Sequence, residues 1–252
     1  MSKKTFQEKH KRNHNDIESA FDNLHKNLLE SIKKSNSTLI KTNTRLLTFL
    51  LGTFAETFLN SFIHESHYQT KKPYFESHEI SDILNIQKQE ERWKYIIKFS
   101  IEKKLQKKYD ELERVEKLVY DDILKTFTEH IIPIILLRNK IAHGNWTYII
   151  NGADTIIYNG LTTETALNQE NYLSLKHKKT LLIKLKELLI ALISGDDTIY
   201  KDYNNAYPNI ENISREINDI SFKNFSEWKK EQQLKYQKAE EYKKQNMQSD
   251  NN

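Results

Sequence analysis

Cysteine is absent from the chain, which excludes disulfides, thiolate zinc sites and a cysteine nucleophile. Five glycines and three prolines among 252 residues leave few places for tight turns and favour long helices. Long hydrophobic runs are missing too: the most apolar stretches, residues 46–63, 131–137 and 181–193, are too short or too interrupted to span a bilayer. The amino-terminal MSKKTFQEKHKRNHND lacks the apolar segment of a signal peptide, so a soluble, cytoplasmic protein with no membrane partner is expected. There is no glycine-rich phosphate loop, no GKS or GKT triplet and no G-x-S-x-G turn, which argues against nucleotide hydrolysis and a serine-centred hydrolase. Nothing in the pattern calls for a cofactor or a metal. Charge of one sign is scarce: the net charge is +4, with lysines and glutamates interleaved as on solvated helix faces.

What is present is helical periodicity. Ile17, Phe21, Leu24, Leu28 and Ile32 recur every three or four residues and predict an amphipathic helix over residues 16–33. Residues 37–65 are apolar on more than one face, the mark of a helix at the centre of a bundle. A connection follows at 67–77, then a helix from about Ser81, broken once before Leu105. Residues 110–142 continue in helical register, with Pro133 either kinking the segment or starting a new helix. Beyond Gly144 the β-branched runs 147–150 and 155–158 flank Asn151-Gly152, a hairpin signal. Helix resumes over 169–194 and again, highly charged, over about 210–244. With no repeat and no low-complexity linker, residues 1–246 read as one domain. Its class is all-α: a helical bundle with a β-hairpin inserted at about 146–159, a helical extension at about 210–246, and a disordered tail at 247–252.

One segment concentrates polar chemistry at the end of an apolar run: LLRNKIAHGNW, residues 136–146. Asn139 and His143 are four residues apart and share a helix face, and the long side chain of Arg138 reaches the same patch. Gly144 is a natural terminator in the left-handed conformation, so His143 falls in the last turn, where the negative end of the helix dipole suits a cation. A histidine and an arginine so placed can bind phosphate and exchange a proton. On physical grounds alone the commoner origin of such a terminus is plain capping, with Arg138 and His143 neutralising helix carbonyls.

The wording of the motif is more specific than its spacing. RNKIAHG resembles the arginine-x4-histidine signature of the HEPN superfamily, in which a polar residue, often asparagine, follows the arginine and the motif ends a late helix of a compact bundle. Arg138, Asn139 and His143 fill those places, and the matching helical region spans roughly residues 16–192. The resemblance implies a metal-independent endoribonuclease that acts as a homodimer on an RNA substrate, two motifs meeting across the interface in one composite cleft. It also implies a setting in toxin–antitoxin or anti-phage defence, with an antitoxin or defence-system protein as a further partner. Toxins of one branch, paired with a nucleotidyltransferase antitoxin, carry a tyrosine two residues after the histidine. Asn145 stands there instead, which puts regulation by adenylylation at that position in doubt. The alternative is a non-catalytic helical module that binds protein or nucleic acid or dimerises, since some members have lost catalysis.

Glu56 interrupts an apolar helix and needs a partner, for which Arg138 or His143 is suited as well as a structural lysine. Lys140, within the motif, and Lys176, Lys178 and Lys179, flanking His177, are candidate contacts to an RNA backbone; a solvated helix face is the commoner origin of such a run. His64, Glu65 and His67, like His10 and His14, read as surface residues rather than metal ligands.

Overall fold

The first helix begins earlier than its apolar periodicity announces. In the structure, a computed structural model describing residues 5–66, 72–144, 156–158, 161–194, 211–212, 215 and 222–249, α1 spans Phe6–Lys33. Its start is set by a capping box: the Thr5 hydroxyl accepts from the Glu8 N–H at 3.3 Å, and the Thr5 N–H donates to the Glu8 carboxylate at 2.7 Å. No apolar stripe marks these ten added residues, nearly three turns, in the sequence, yet His14 lies buried within them. The helix ends in a Schellman arrangement, with Ser35 at φ 56°, its N–H on the Ile32 carbonyl and the Asn36 N–H on the Ser31 carbonyl. Asn36 then caps the next helix, accepting from the Leu39 N–H at 3.0 Å.

Helix α2, Ser37–Phe62, is buried on several sides and packs against α1, against α6 (Ile132–Ala142) and against α8 (Tyr172–Ser194). It is the central helix that its many-sided hydrophobicity predicts. Arg45 is buried with it, its guanidinium donating to the Leu167 carbonyl and, at 2.6 Å, to Asn168 Oδ1. The helix expected from about Ser81 is two: α3, Ser77–Asn85, and α4, Gln89–Leu105. Arg92 fastens the break, donating to the Ile86 carbonyl at 2.6 Å and to the Leu84 carbonyl at 3.0 Å. A short 3₁₀ turn at Tyr109–Glu111 leads into α5, Arg114–His130. Pro133 sits in the first turn of α6, where a missing N–H costs nothing, so it starts a helix rather than kinking one.

Two short strands follow, β1 (Ile156–Tyr158) and β2 (Leu161–Thr162), paired antiparallel with Ile156 opposite Thr162 and Tyr158 opposite Leu161. The hairpin expected at about 146–159 is thereby corrected in part. Its second arm is a strand, but its described partner lies across Asn159-Gly160, and the Asn151-Gly152 turn with the first arm falls outside the described residues. Helix α7, Thr163–Gln169, precedes α8, and the last helix, here α9, runs Phe222–Ser249, three residues into the segment expected to be a disordered tail. It docks on α1 through Gln233, which donates to the Ile32 carbonyl at 3.1 Å, and on the start of α8 through Trp228, whose ring stacks on Tyr172 at 5.1 Å. Among the described residues the elements are all helical apart from that strand pair. No helix among the described residues is long and apolar enough to cross a membrane.

Two histidines in this core carry a pH dependence. His14 packs between the rings of Phe54 and Phe58, 4.7 and 5.0 Å away, with Thr57 Oγ1 at 3.5 Å. Burial pushes it down to about 4; the Lys186 and Lys179 ammoniums add to this and the Glu18 carboxylate opposes it. His130, 3% exposed, is likewise pushed down to about 4, by burial and then by Lys178. Below the ordinary value of 6.5 the unfolded chain takes up protons that the folded chain refuses, so stability present above that pH is lost as pH falls towards 4. The loss is on the order of 3 kcal/mol per histidine. The urea midpoint is expected to drop between pH 7 and pH 4.5, and His14→Phe to flatten that slope; equal slopes for the two proteins would contradict this.

Candidate active site

Helix α6 reaches α2 more closely than two side-chain-bearing helices can. A Cβ placed on Gly52 would lie 2.3 Å from Arg138 Cβ, 2.9 Å from Arg138 Cγ and 3.0 Å from the Ile134 carbonyl oxygen. The stem of Arg138 therefore lies across the bare backbone of α2 at Gly52. Residues 49, 52 and 56 of α2 share one face, and each bounds the guanidinium. Its carbon sits 5.9 Å from the centre of the Phe49 ring, and Nη2 is ion-paired with Glu56 Oε2 at 2.9 Å. Nη1 donates to Asn139 Oδ1, also at 2.9 Å. The Arg138 and Glu56 side chains are 30% and 36% exposed, so water screens the pair and it contributes about 0–1 kcal/mol. Its consequence is geometric: it fixes which way the planar fork points.

Gly52, Glu56, Arg138 and Asn139 line an open cleft of about 470 Å³. The turn between α3 and α4 and the start of α4, residues 87–90, line it too, together with Arg92. The Nε of Arg138 is buried without a hydrogen-bond partner, and so is Nε2 of Gln89, another lining residue. Sequence reasoning thus placed Glu56 against Arg138 correctly among its alternatives. It missed Phe49, Gly52 and Gln89; a lone glycine inside an apolar helix was the available signal for a close helix approach.

His143 is placed differently. It caps α6, its N–H on the Asn139 carbonyl at 3.2 Å, and Gly144 follows at φ 84° with its N–H on the Ile141 carbonyl. Its side chain is exposed, one turn beyond Asn139, and does not line the cleft. The structure therefore gathers Glu56, Arg138 and Asn139 and leaves His143 at the rim of the helix end.

The basic run on α8 is divided by its own helical period. Lys176 is exposed. Lys178 is buried and ion-paired with Glu170, which also accepts from the Ser174 hydroxyl at 2.9 Å. Lys179 lies 2.7 Å from Asp22 Oδ1 and 3.1 Å from Glu18 Oε1, over the rings of Phe21 and Phe54. This corrects the expectation for Lys178 and Lys179, which hold α8 to the rest of the bundle instead of facing solvent. Lys140 is half-buried on α6.

His64 and His10 meet as stacked rings 5.0 Å apart with Phe6 edge-on to both, and burial lowers each imidazole below its ordinary value. His67 lies outside the described residues, and among those described no group of three or more histidines, aspartates or glutamates could hold a metal ion. No protein-family model, curated protein or solved structure matches this chain.

The Gly52 contact is directly testable. Alanine gains about 1 kcal/mol in helix propensity over glycine, but overpacking costs about 1–3 kcal/mol, so Gly52→Ala is expected to unfold at lower urea than wild type and Gly52→Val at lower still. Equal or greater stability of Gly52→Ala would exclude the close α2–α6 approach.

Proposed function

We propose that this chain is a metal-independent endoribonuclease of the HEPN type, acting through a composite site formed by two copies. The observation that carries the reading is that one seven-residue segment presents two complementary groups. Arg138 is a permanently charged fork held at an open cleft by Glu56 and Asn139, and His143 is an exposed imidazole one turn further along the same helix. The motif's resemblance to the HEPN signature supplies the reaction class.

The chemistry fits those groups. One imidazole removes the proton from an RNA 2′-hydroxyl as its oxygen attacks the adjacent phosphorus. The bond from phosphorus to the 5′-oxygen breaks, and an imidazolium delivers a proton to that leaving oxygen. The products are a 2′,3′-cyclic phosphate and a 5′-hydroxyl. One histidine cannot be base and acid in the same step, so the second comes from the other copy. Arg138 stabilises charge on the crowded phosphate, and Glu56 positions Arg138. The same reading places the protein in toxin–antitoxin or anti-phage defence, with an antitoxin or defence-system partner. The second reading, a binding or dimerisation module, is favoured by the Arg138–Glu56 ion pair if that pair does no more than join α2 to α6.

Cleavage of end-labelled RNA in EDTA tests the proposal. Wild type is expected to leave cyclic-phosphate ends, with Arg138→Ala and His143→Ala each slower by about a hundredfold or more while remaining folded. Glu56→Gln should lose about tenfold in rate while shifting stability by less than about 1 kcal/mol. Activity surviving in folded His143→Ala removes the mechanism, and RNA bound but never cleaved leaves the binding module.

A further inference from the structure

The adjoining ends of α1 and α2 hold an aromatic cluster that phosphate cleavage does not use. Phe6, in the first turn of α1, lies 4.5 Å from the His10 ring and 4.9 Å from the His64 ring, at 72° and 88° to them. The two imidazoles stack on each other at 5.0 Å and tie that first turn to the residues just past α2. A ring placed there for packing alone would be buried, as Phe21, Phe54 and Phe58 are further along the same two helices. Phe6 is instead 61% exposed. It is positioned all the same, because the Thr5–Glu8 capping box starts the helix at the residue before it. Burial lowers both imidazoles below their ordinary value, so at neutral pH they add uncharged rings.

Cations accompany the exposed ring. Phe6, Lys9 and Arg12 follow one another at intervals of three, one row along the helix surface. Lys9 and Arg12 are exposed, and neither holds a carboxylate among the described residues. Glu8 is engaged by the Thr5 N–H, Glu65, beside His64, is ion-paired with Lys186, and Asp16 lies a further turn beyond Arg12. Open ring surface beside unpaired cations suits a ligand that carries exposed π faces and a row of anions together. A single-stranded nucleic acid has both. An acidic peptide brings the charge without regular flat faces, and a duplex stacks its bases on one another. We propose that Phe6, with His10 and His64 beside it and Lys9 and Arg12 behind it, is a stacking platform for an unpaired base of single-stranded RNA. It lies about two turns beyond Glu56, apart from the Arg138 cleft. The choice of RNA rests on the endoribonuclease reading, but the test does not require cleavage.

Stacking is open to a single strand and closed to a duplex, whereas phosphate contacts are open to both. Fluorescence anisotropy with a 2′-O-methyl RNA decamer, alone and annealed to its complement, separates the two, and neither form carries an attacking hydroxyl. Wild type is expected to bind the single strand. Phe6→Ala should weaken that binding about fivefold or more, the worth of one stacked base, while changing duplex binding by less than about twofold. Lys9→Gln should lower the slope of log affinity against log salt by about 0.7. Phe6→Leu, which keeps an apolar side chain but no flat face, carries the comparison if Phe6→Ala loosens the start of α1. No single-strand binding by wild type, affinity kept in both Phe6 variants, or equal losses for strand and duplex overturns the proposal. So does a dimer that dissociates in Phe6→Ala with its RNA affinity unchanged, which gives this surface to a second copy. Phe6-dependent binding of the single strand with unmodified RNA left intact keeps the platform and removes the nuclease; cleavage lost in Arg138→Ala with single-strand binding indifferent to Phe6 does the reverse.

Discussion

The close approach of α2 and α6 at Gly52 is the constraint on which the site depends. With no side chain at that position, the backbone of α6 drops onto α2 until the Arg138 stem occupies the space a Cβ would fill. Only then are Phe49, one turn before, and Glu56, one turn after, within reach of the same guanidinium. A glycine in mid-helix is unfavourable by about 1 kcal/mol against alanine, and the packing it permits offsets that cost. The screened ion pair adds little to stability, so the arrangement matters for where it holds a cation rather than for how tightly it holds two helices.

Elsewhere the bundle uses charge for cohesion. Lys178 with Glu170, and Lys179 with Glu18 and Asp22, are drawn inward by the same helical period that buries Leu175, Leu181 and Leu182. Arg45 satisfies a carbonyl and an amide of α7 from the buried side of α2. Each of these cations is spent on structure, whereas Arg138 keeps its Nε unpaired and a third of its side chain in solvent at an open cleft. That contrast separates the motif arginine from the other paired basic residues near the core.

Much of the helical order was legible in the chain. The paucity of glycine and proline, the three- and four-residue apolar spacing, and Pro133 and Gly144 as punctuation are local signals, and α1, α2, the α3–α4 break, α6 and α8 follow them. The failures have local causes too. Thr5 and Glu8 start α1 through hydrogen bonds that leave no apolar periodicity, and a second Asn-Gly pair lay a few residues beyond the one that drew attention.

The sequence by itself determined an all-α class and a helix ending in His143 and Gly144, with a motif that resembles the HEPN signature. Those properties depend on neighbours three or four residues apart. Only the tertiary structure decided that Glu56 pairs with Arg138 rather than with His143 or a lysine, that Lys178 and Lys179 turn inward, that His143 stands apart from the cleft, and that Gln89 lines it. Each of these joins residues on different helices or sets a side chain's exposure in the packed bundle, and helical period alone cannot say which face of one helix will lie against which face of another.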